Sequence, residues 1–462
     1  MSEKQGGSRK FLYLAVCTGN LVAFSAGIAL GWSSPVLAKL TSADKLDDNP
    51  FERVISKEEE SWIGSLLALG AIFGPFVAGF SADKIGRKKT LLIWCGIPFV
   101  ISYLMLAFGN VVILYYIARF IAGFALGGVF TVLPNFISEI AEDEVRGAVC
   151  SSMNVFVVSG PLFSYVVGPY VPIMWFNVIC AIWPAAFTVG FFLLVPESPY
   201  YLIAVNDSHG AAAALKRFRA TGDTGIKKEL EKIKTTVDES MRTKGSFVDI
   251  FKSRGLIKSF IISLSLVGFQ QFSGINTVLF YSEQIFGAAE SSIPPEISTM
   301  IVGAVQVAAS FVTPLLVDRR GRKFLLLVSG VGMLISEIPL GLFFYLKDNE
   351  KNISAISWLP ILCLIIYIIT YNFGFGPLPW TVMAEIFPPN IKSPASTATA
   401  SFCWLLGFLI TKFFSSISAE IGMGGSFWLF SGFCLLAIIF VITYMIETKG
   451  RSFQEIQEIL AK

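Results

Sequence analysis

Amide side chains set in apolar sequence are the first residues whose chemistry stands out. Gln270-Gln271-Phe272-Ser273-Gly274-Ile275-Asn276 interrupts a stretch that is otherwise apolar. On a helix Gln270 and Ser273 are three apart and Gln271 and Asn276 five apart, so two or more of these groups point to a similar side. Asn154, Gln306, Asn372, Trp380 and Trp404 stand in four further apolar runs. A Gln or Asn side chain both donates and accepts, so a cluster of them with aromatic faces suits a neutral ring carrying many hydroxyls. One amide in such a run more often makes an interhelical hydrogen bond. A set spread over five runs is better explained by a shared ligand.

Other chemistries lack their residues. The only histidine, His209, lies in a polar central stretch, so no metal site and no histidine proton relay is expected. No Gly-Lys dipeptide occurs, which removes the phosphate-binding loop of an ATP-driven pump. No nucleophile set for a membrane enzyme is visible, and no cofactor is expected. All seven cysteines fall in or at the ends of apolar runs, which argues against a disulfide framework. Glu337 is the sole carboxylate in the middle of a run. It is the only candidate for a proton-coupling acid, against the plainer reading of an acid held neutral or paired between helices.

The elements that must position these residues follow from composition. The 462-residue chain is 54% hydrophobic and only 15% charged, with 42 Phe. Its charges leave a dozen apolar runs of about 20 residues, the length that spans a bilayer core of about 30 Å. They are 11–35, 62–82, 91–109, 111–134, 146–168, 174–195, 256–285, 297–317, 324–346, 356–384, 394–417 and 426–446. Only Arg119, Glu283, Glu337 and Lys412 fall well within them. A soluble enzyme, a nucleic-acid binder and a disordered chain are excluded. The expected fold is an all-α membrane protein: a bundle of six helices over 1–195, a linker with short helices over 196–255, a second bundle over 256–446 and a tail over 447–462. The first run lacks a signal-peptide cleavage pattern and is read as retained. Alternate loops hold few basic residues, namely Lys39, Lys45, Arg53, Lys57, Lys347 and Lys351, so the basic loops and both termini are expected in the cytoplasm. The sequon Asn352-Ile353-Ser354 then falls outside and is a glycosylation candidate.

The second half repeats the first. Asp83-Lys84-Ile85-Gly86-Arg87-Lys88 recurs as Asp318-Arg319-Arg320-Gly321-Arg322-Lys323. Glu139 with Arg146 recurs as Glu385 with Lys392, and Glu197-Ser198 recurs as Glu447-Thr448, with Arg451 closing the last motif. Each motif follows an equivalent span. Basic residues there could serve topology alone, but the acids have no topological reason to be present. Alternating signs at helix ends are therefore read as ion pairs between the two bundles, forming a cytoplasmic gate that closes in one state and breaks in the other. Two related bundles around a midplane site are the architecture of secondary transporters. Gly374-Phe375-Gly376-Pro377-Leu378-Pro379-Trp380 should break its span, because each proline deletes a backbone donor. Gly70 to Gly74 and Gly123 to Gly127 are assigned to close helix packing.

These residues resemble the sugar porter family of the major facilitator superfamily. The likeness rests on Asp83 to Arg87, Glu139 with Arg146-Gly147, Pro196 to Pro199, Gln270 to Asn276, Gly376 to Trp380 and Glu447 to Arg451. Ala29 to Pro35 and Phe375-Gly376-Pro377 look like the insect facilitated trehalose and hexose carriers and related animal facilitative glucose carriers. The resemblance implies Gln270, Gln271, Asn276 and Trp380 as sugar contacts, with Phe280 and Tyr281 at the outer gate. It departs at Asn154, where the family usually has Gln, at Gln306 (often Asn), Asn372 (Glu in glucose carriers), Cys403 (Asn in many) and Ile446 (normally Pro). In proton-coupled members the first span bears an Asp, and Ala29 stands near that position. The expected activity is facilitative sugar uniport by a monomer in the plasma membrane, with an endolysosomal membrane as the other location. The alternatives are a proton symporter using Glu337 and a sugar sensor that does not transport.

Overall fold

The computed structural model describes residues 9–461 except 143, 220–222, 243–244, 291–292, 450 and 452; the side chains of 223–224, 240, 313–319, 389–390, 453–454 and 461 also lie outside the description. Among the described residues, eleven helical stretches are long and apolar enough to cross a bilayer. The first six are α1 (Lys10–Leu40), α2 (Lys57–Ile85), α3 (Arg87–Phe108), α4 (Val112–Ile140), α5 (Arg146–Val167) and α6 (Ile173–Leu194). The second six begin with α7 (Arg254–Ala289), α8 (Pro295–Arg320), α9 (Arg322–Asp348) and α10 (Ser354–Ile386). The last stretch, Pro389–Thr443, carries a non-helical Gly422 at φ 76°. At 1.5 Å per residue it would run about 80 Å, far beyond a core of about 30 Å, so it crosses twice. Packing agrees: an added Cβ on Gly424 would touch Gly341 O, and one on Gly330 would touch Ile438, so 423–443 (α12) runs antiparallel to α9. α11 is 389–421. Twelve spans thus form two six-helix bundles, joined by the short helices Pro199–Ala204, Ser208–Phe218 and Asp223–Arg242.

Helix starts extend beyond the apolar runs where polar turns cap them. α2 begins five residues before its apolar run because Ser56 accepts from Glu59 N while the Glu59 carboxylate accepts from Ser56 N, a reciprocal cap. The expectation of one continuous helix through the amide motif is corrected. α7 consists of Arg254–Phe272 and Ile275–Ala289, separated at Gly274, whose φ of 81° lies in the left-handed region. α10 is broken as expected, between Phe373 and Leu378.

Small residues set the spacing within a bundle. A Cβ on Gly123 would lie 1.9 Å from Leu67 O, and one on Gly160 would lie 2.3 Å from Gly27 C. Both contacts press backbone on backbone, where association depends on packing rather than on exclusion of water. The same closeness lets the 1%-exposed Arg119 reach two other helices. Its guanidinium donates to Ile63 O at 3.0 Å on α2, and to Ala29 O at 2.9 Å and Ser33 Oγ at 2.7 Å on α1. It also lies 4.8 Å from the Trp32 ring centroid. A charge that is expensive in hydrocarbon is thereby surrounded by acceptors.

The bundles meet in the middle and on the far side, the side away from the start of α1 and the end of α12. Tyr165 Oη donates to Leu279 O at 2.9 Å, Glu283 N donates to Ser34 Oγ at 3.0 Å, and Ser401 Oγ donates to Ile72 O at 3.0 Å. At the far ends of α11 and α2, Lys412 Nζ donates to Ser61 Oγ at 2.7 Å and sits 4.1 Å from the Trp62 ring centroid. This conformation is closed on the far side. The Lys412 contact joins a cation to a hydroxyl and an aromatic face, each worth about 1 kcal/mol. Lys412→Met keeps the stem and removes both, so the far-side seam should open more often. A reporter thiol introduced by Gln284→Cys is expected to react with an impermeant reagent roughly fivefold faster or more in Lys412→Met. An unchanged rate would show that this contact does not hold the seam.

Candidate functional site

The site grows out of the two helix breaks. In α10 the carbonyl of Phe375 would meet the N–H of residue 379, but that residue is proline and has none. The orphan acceptor is filled from α7: Gln270 Nε2 donates to Phe375 O at 2.7 Å and to Gly376 O at 2.8 Å. Across the α7 break, Asn276 Nδ2 donates to Gln271 Oε1 at 2.6 Å. Gln271 Nε2 donates to Cys403 Sγ on α11 at 3.0 Å, and that thiol faces Gln270 Oε1 at 3.8 Å. The amides and the thiol form one continuous chain of hydrogen bonds from Asn276 to the α10 carbonyls. Gly407 makes room for it, since a Cβ there would lie 2.8 Å from Asn276 Nδ2. On the other side of the break, Tyr367 Oη of α10 donates to Ser273 O at 2.8 Å, with Ser273 Oγ 3.1 Å away.

The remaining residues lie around this network at different positions. Asn372 and Trp380 flank the α10 break; Asn372 is buried and donates to Ile368 O of its own helix at 2.8 Å. Trp404 neighbours Cys403 and packs 6.3 Å, centroid to centroid, from Phe130 of α4 in the other bundle. Gln306 is buried on α8, and its Oε1 finds no partner among the described residues. Asn154 is exposed and has no hydrogen bond to the network among the described residues, but it shares a helical stripe with Val158, Pro161 and Tyr165 of α5. Tyr165 on that stripe reaches Leu279 of α7, so the stripe faces the other bundle. Phe280 and Tyr281 are buried at the far-side seam, where the backbone leaves helical geometry at Tyr281 and its Oη donates to Thr411 O at 3.3 Å. Sequence reasoning noted Cys403 only as a departure and missed Tyr367. Its hydroxyl was one of several in the same run, with Thr370, Tyr371 and Thr381, and nothing in the sequence set it apart.

The network has no charged member and no nucleophile beside a base. It offers donors and acceptors whose present partners are each other, so a neutral polyhydroxylated ligand could exchange with them without a charge change. Glu337, 2% exposed, accepts from Cys434 Sγ of α12 at 3.4 Å.

The repeated charged motifs form two matching knots on the near side. Arg87 pairs with Glu139 at 3.0 Å and Arg322 with Glu385 at 2.7 Å. Each acid also accepts from the hydroxyl of the third motif, Ser198 to Glu139 and Thr448 to Glu385 at 2.5 Å. Gly86 and Gly321 hold φ of 98° and 86°, turning the chain so that the next backbone N–H groups face a carboxylate. Lys88 N donates to Glu197 at 3.0 Å, and Arg322 N donates to Glu447 at 2.9 Å. Burial alone would raise the Glu447 carboxyl, but the N–H groups of Lys449, Arg322 and Lys323 and the Arg322 charge hold it below the usual carboxylate range. In this conformation, closed on the far side, these pairs tie helices of one bundle together. The reason is geometric: the positive-φ turn delivers Arg87 and Arg322 to the adjacent helix of their own half. Asp83 lies 3.8 Å from Arg87, again within the half. Arg146 donates to Ser138 O and Ala141 O, capping the end of α4. Lys392 and Arg451 are exposed. Asp318 lies on α8, but its side chain is outside the described residues.

Residues 19–460 match the family model for "Sugar (and other) transporter". The chain is 36% identical over 446 residues to the facilitated trehalose transporter Tret1 of Bombyx mori, covering 96% of this chain and 85% of that one. It is 35% identical to the Tret1-2 homolog of Drosophila sechellia, of which it covers 90%. It is 34% identical to Tret1 of Anopheles gambiae but spans only 55% of that longer chain. Among solved structures, the proton:xylose symporter XylE bound to 6-bromo-6-deoxy-D-glucose superposes with a TM-score of 0.76 at 23% identity, covering 98% of this chain and 99% of that one. The partially occluded inward-open form of XylE from E. coli gives 0.78 at 22% identity, covering 96% and 100%. These two establish the major facilitator fold, and the family match establishes the class: the chain belongs to the sugar transporter family.

Proposed function

We propose that the protein is a facilitative sugar carrier, moving a hexose or trehalose down its gradient by alternating access. The observation that carries this reading is the uncharged hydrogen-bond network of Gln270, Gln271, Asn276 and Cys403 between broken helices. α1 contains no Asp, Glu, His, Lys or Arg from Phe11 to Pro35, so the transport path lacks a titrating group on that side. Trehalose enters through the names of the relatives. In this reading residues 1–195 and 256–446 rock about the site, 196–255 links them and 447–462 is a cytoplasmic tail. Asn154, Gln306, Asn372, Trp380 and Trp404 complete the sugar site when the halves close on it, and Phe280 and Tyr281 seal its outer mouth. The near-side knots stiffen each half as a moving body and bias the state populations. The basic loops put the near side in the cytoplasm, and a monomer in the plasma membrane is the working form.

Uptake of labelled glucose and trehalose into proteoliposomes, with and without an imposed proton gradient, tests the mode. Uptake is expected to equilibrate and not to accumulate. Accumulation driven by the gradient and abolished by Glu337→Gln would establish the proton-coupled alternative instead. Sugar bound without any uptake would point to a sensor.

Gln271→Ala should raise the half-saturation concentration roughly tenfold, because a buried hydrogen bond to a neutral hydroxyl contributes about 1 to 1.5 kcal/mol. Unchanged affinity at normal expression would remove Gln271 from the site.

Orientation is tested at Asn352, which is exposed in the far-side loop between α9 and the start of the span at Leu359, with its Oδ1 accepting from Ser354 N at 3.1 Å. In a eukaryotic host the protein should shift on a gel after glycosidase treatment, and Asn352→Gln should abolish the shift. A sugar chain found instead at Asn206, in the linker sequon Asn206-Asp207-Ser208, would invert the topology.

A further inference from the structure

We propose that a groove at the near-side rim of the first bundle binds an anionic glycerophospholipid, with the headgroup phosphate on Lys88 and Lys89 and a chain along Phe192 and Leu92. The groove encloses about 340 Å³ between the start of α3, the end of α6 and Tyr201 of the first linker helix. Three features select this occupant.

The first is an excess of positive charge. Glu197 also lines the groove, and its oxygens accept from Lys88 N at 3.0 and 3.1 Å and from Ser198 N at 2.8 Å. Its negative charge offsets part of that of Lys88, but the cations outnumber it. Lys88 Nζ donates to Phe192 O at 2.9 Å, which leaves further N–H groups to donate. Lys89 is exposed and has no partner among the described residues. Arg217, whose Nη2 donates to Leu194 O at 3.0 Å, adds a third cation at the same helix end.

The second is the apolar wall. Phe192 and Leu193 are 64% and 68% exposed at the end of a membrane span, so their open faces meet hydrocarbon. Lysine stems along such a wall with their charges at the interface match a phospholipid at both of its ends. A free phosphate would use the lysines and leave the wall idle.

The third comes from the internal repeat. In the second half Lys323 Nζ is engaged with Ile442 O at 3.0 Å and Met445 O at 2.8 Å, and the position of Lys89 is taken by Phe324. The second lysine is therefore not a demand of the motif. It is particular to this groove.

Native mass spectrometry of the full-length protein, offered equal dioleoylphosphatidylglycerol and dioleoylphosphatidylcholine, reads the proposal without reference to transport. The parent should retain the anionic lipid preferentially. Lys89→Gln should reduce that preference roughly fivefold, the weight of one basic residue at an anionic surface. Lys89→Phe, which copies the second half, should act alike, and Lys323→Gln should leave the preference intact. Lys88→Gln also loses a contact to Phe192 O, so the exposed Lys89 is the residue that decides the test. Equal retention of the two lipids, an unchanged preference in Lys89→Gln, or an equal loss in Lys323→Gln would overturn the proposal. Displacement of the lipid by an equal concentration of glycerol 3-phosphate would overturn it too, by showing that the apolar wall contributes nothing.

Discussion

A polar group inside a bilayer core can be satisfied only by the protein itself, and this constraint organises the molecule. It explains why the amide network is coupled to a broken helix. Proline at 379 strips Phe375 O of its helical partner, and Gln270 replaces the missing donor. The amides that remain bond to one another and to the Cys403 thiol. A ligand with many hydroxyls would substitute one set of hydrogen bonds for another, and the net gain would be small for each bond.

The same constraint separates the two ends of the molecule. On the near side, carboxylates, a positive-φ glycine and the next backbone N–H groups form a knot in each half, with Lys88 N on Glu197 matched by Lys323 N on Glu447 and Arg87–Glu139 by Arg322–Glu385. On the far side the contacts cross between halves and involve hydroxyls, backbone carbonyls, aromatic rings and one lysine. Strong, repeated interactions make each half rigid, and weaker, unrepeated ones join them. A seam that opens and closes has to be built from the weaker kind, because a two-state element responds only to differences of a few kcal/mol.

Much of this was legible in the residues. Charges avoid hydrocarbon, so the spans could be read from where Lys, Arg, Asp and Glu are missing, and a duplicated fold leaves duplicated motifs such as Asp83 to Lys88 and Asp318 to Lys323. The prolines at 377 and 379 announced the α10 break because they remove donors wherever they stand. Adjacency was not legible. Arg87 and Glu139 stood in separate motifs, and which neighbour each would meet depends on the turn at Gly86, where one glycine among 40 carries no mark of positive φ. The break at Gly274 was hidden for the same reason, and the reversal at Gly422 was visible only as the gap between two apolar runs. Cys403 looked apolar by type. Its role depends on Gln271, which lies 132 residues away in sequence.

Arg119 carries a consequence for how the protein is made. Its guanidinium is held by Ala29 and Ser33 of α1 and by Ile63 of α2. All three acceptors precede it in the chain, so they leave the ribosome first. When α4 moves sideways from the translocation channel into lipid, α1 and α2 are already available to receive its charge. Had the acceptors been encoded downstream, a bare guanidinium would have waited in hydrocarbon for its partners to be synthesised. The order of the helices along the gene product is thus matched to the order in which a buried cation can be sheltered.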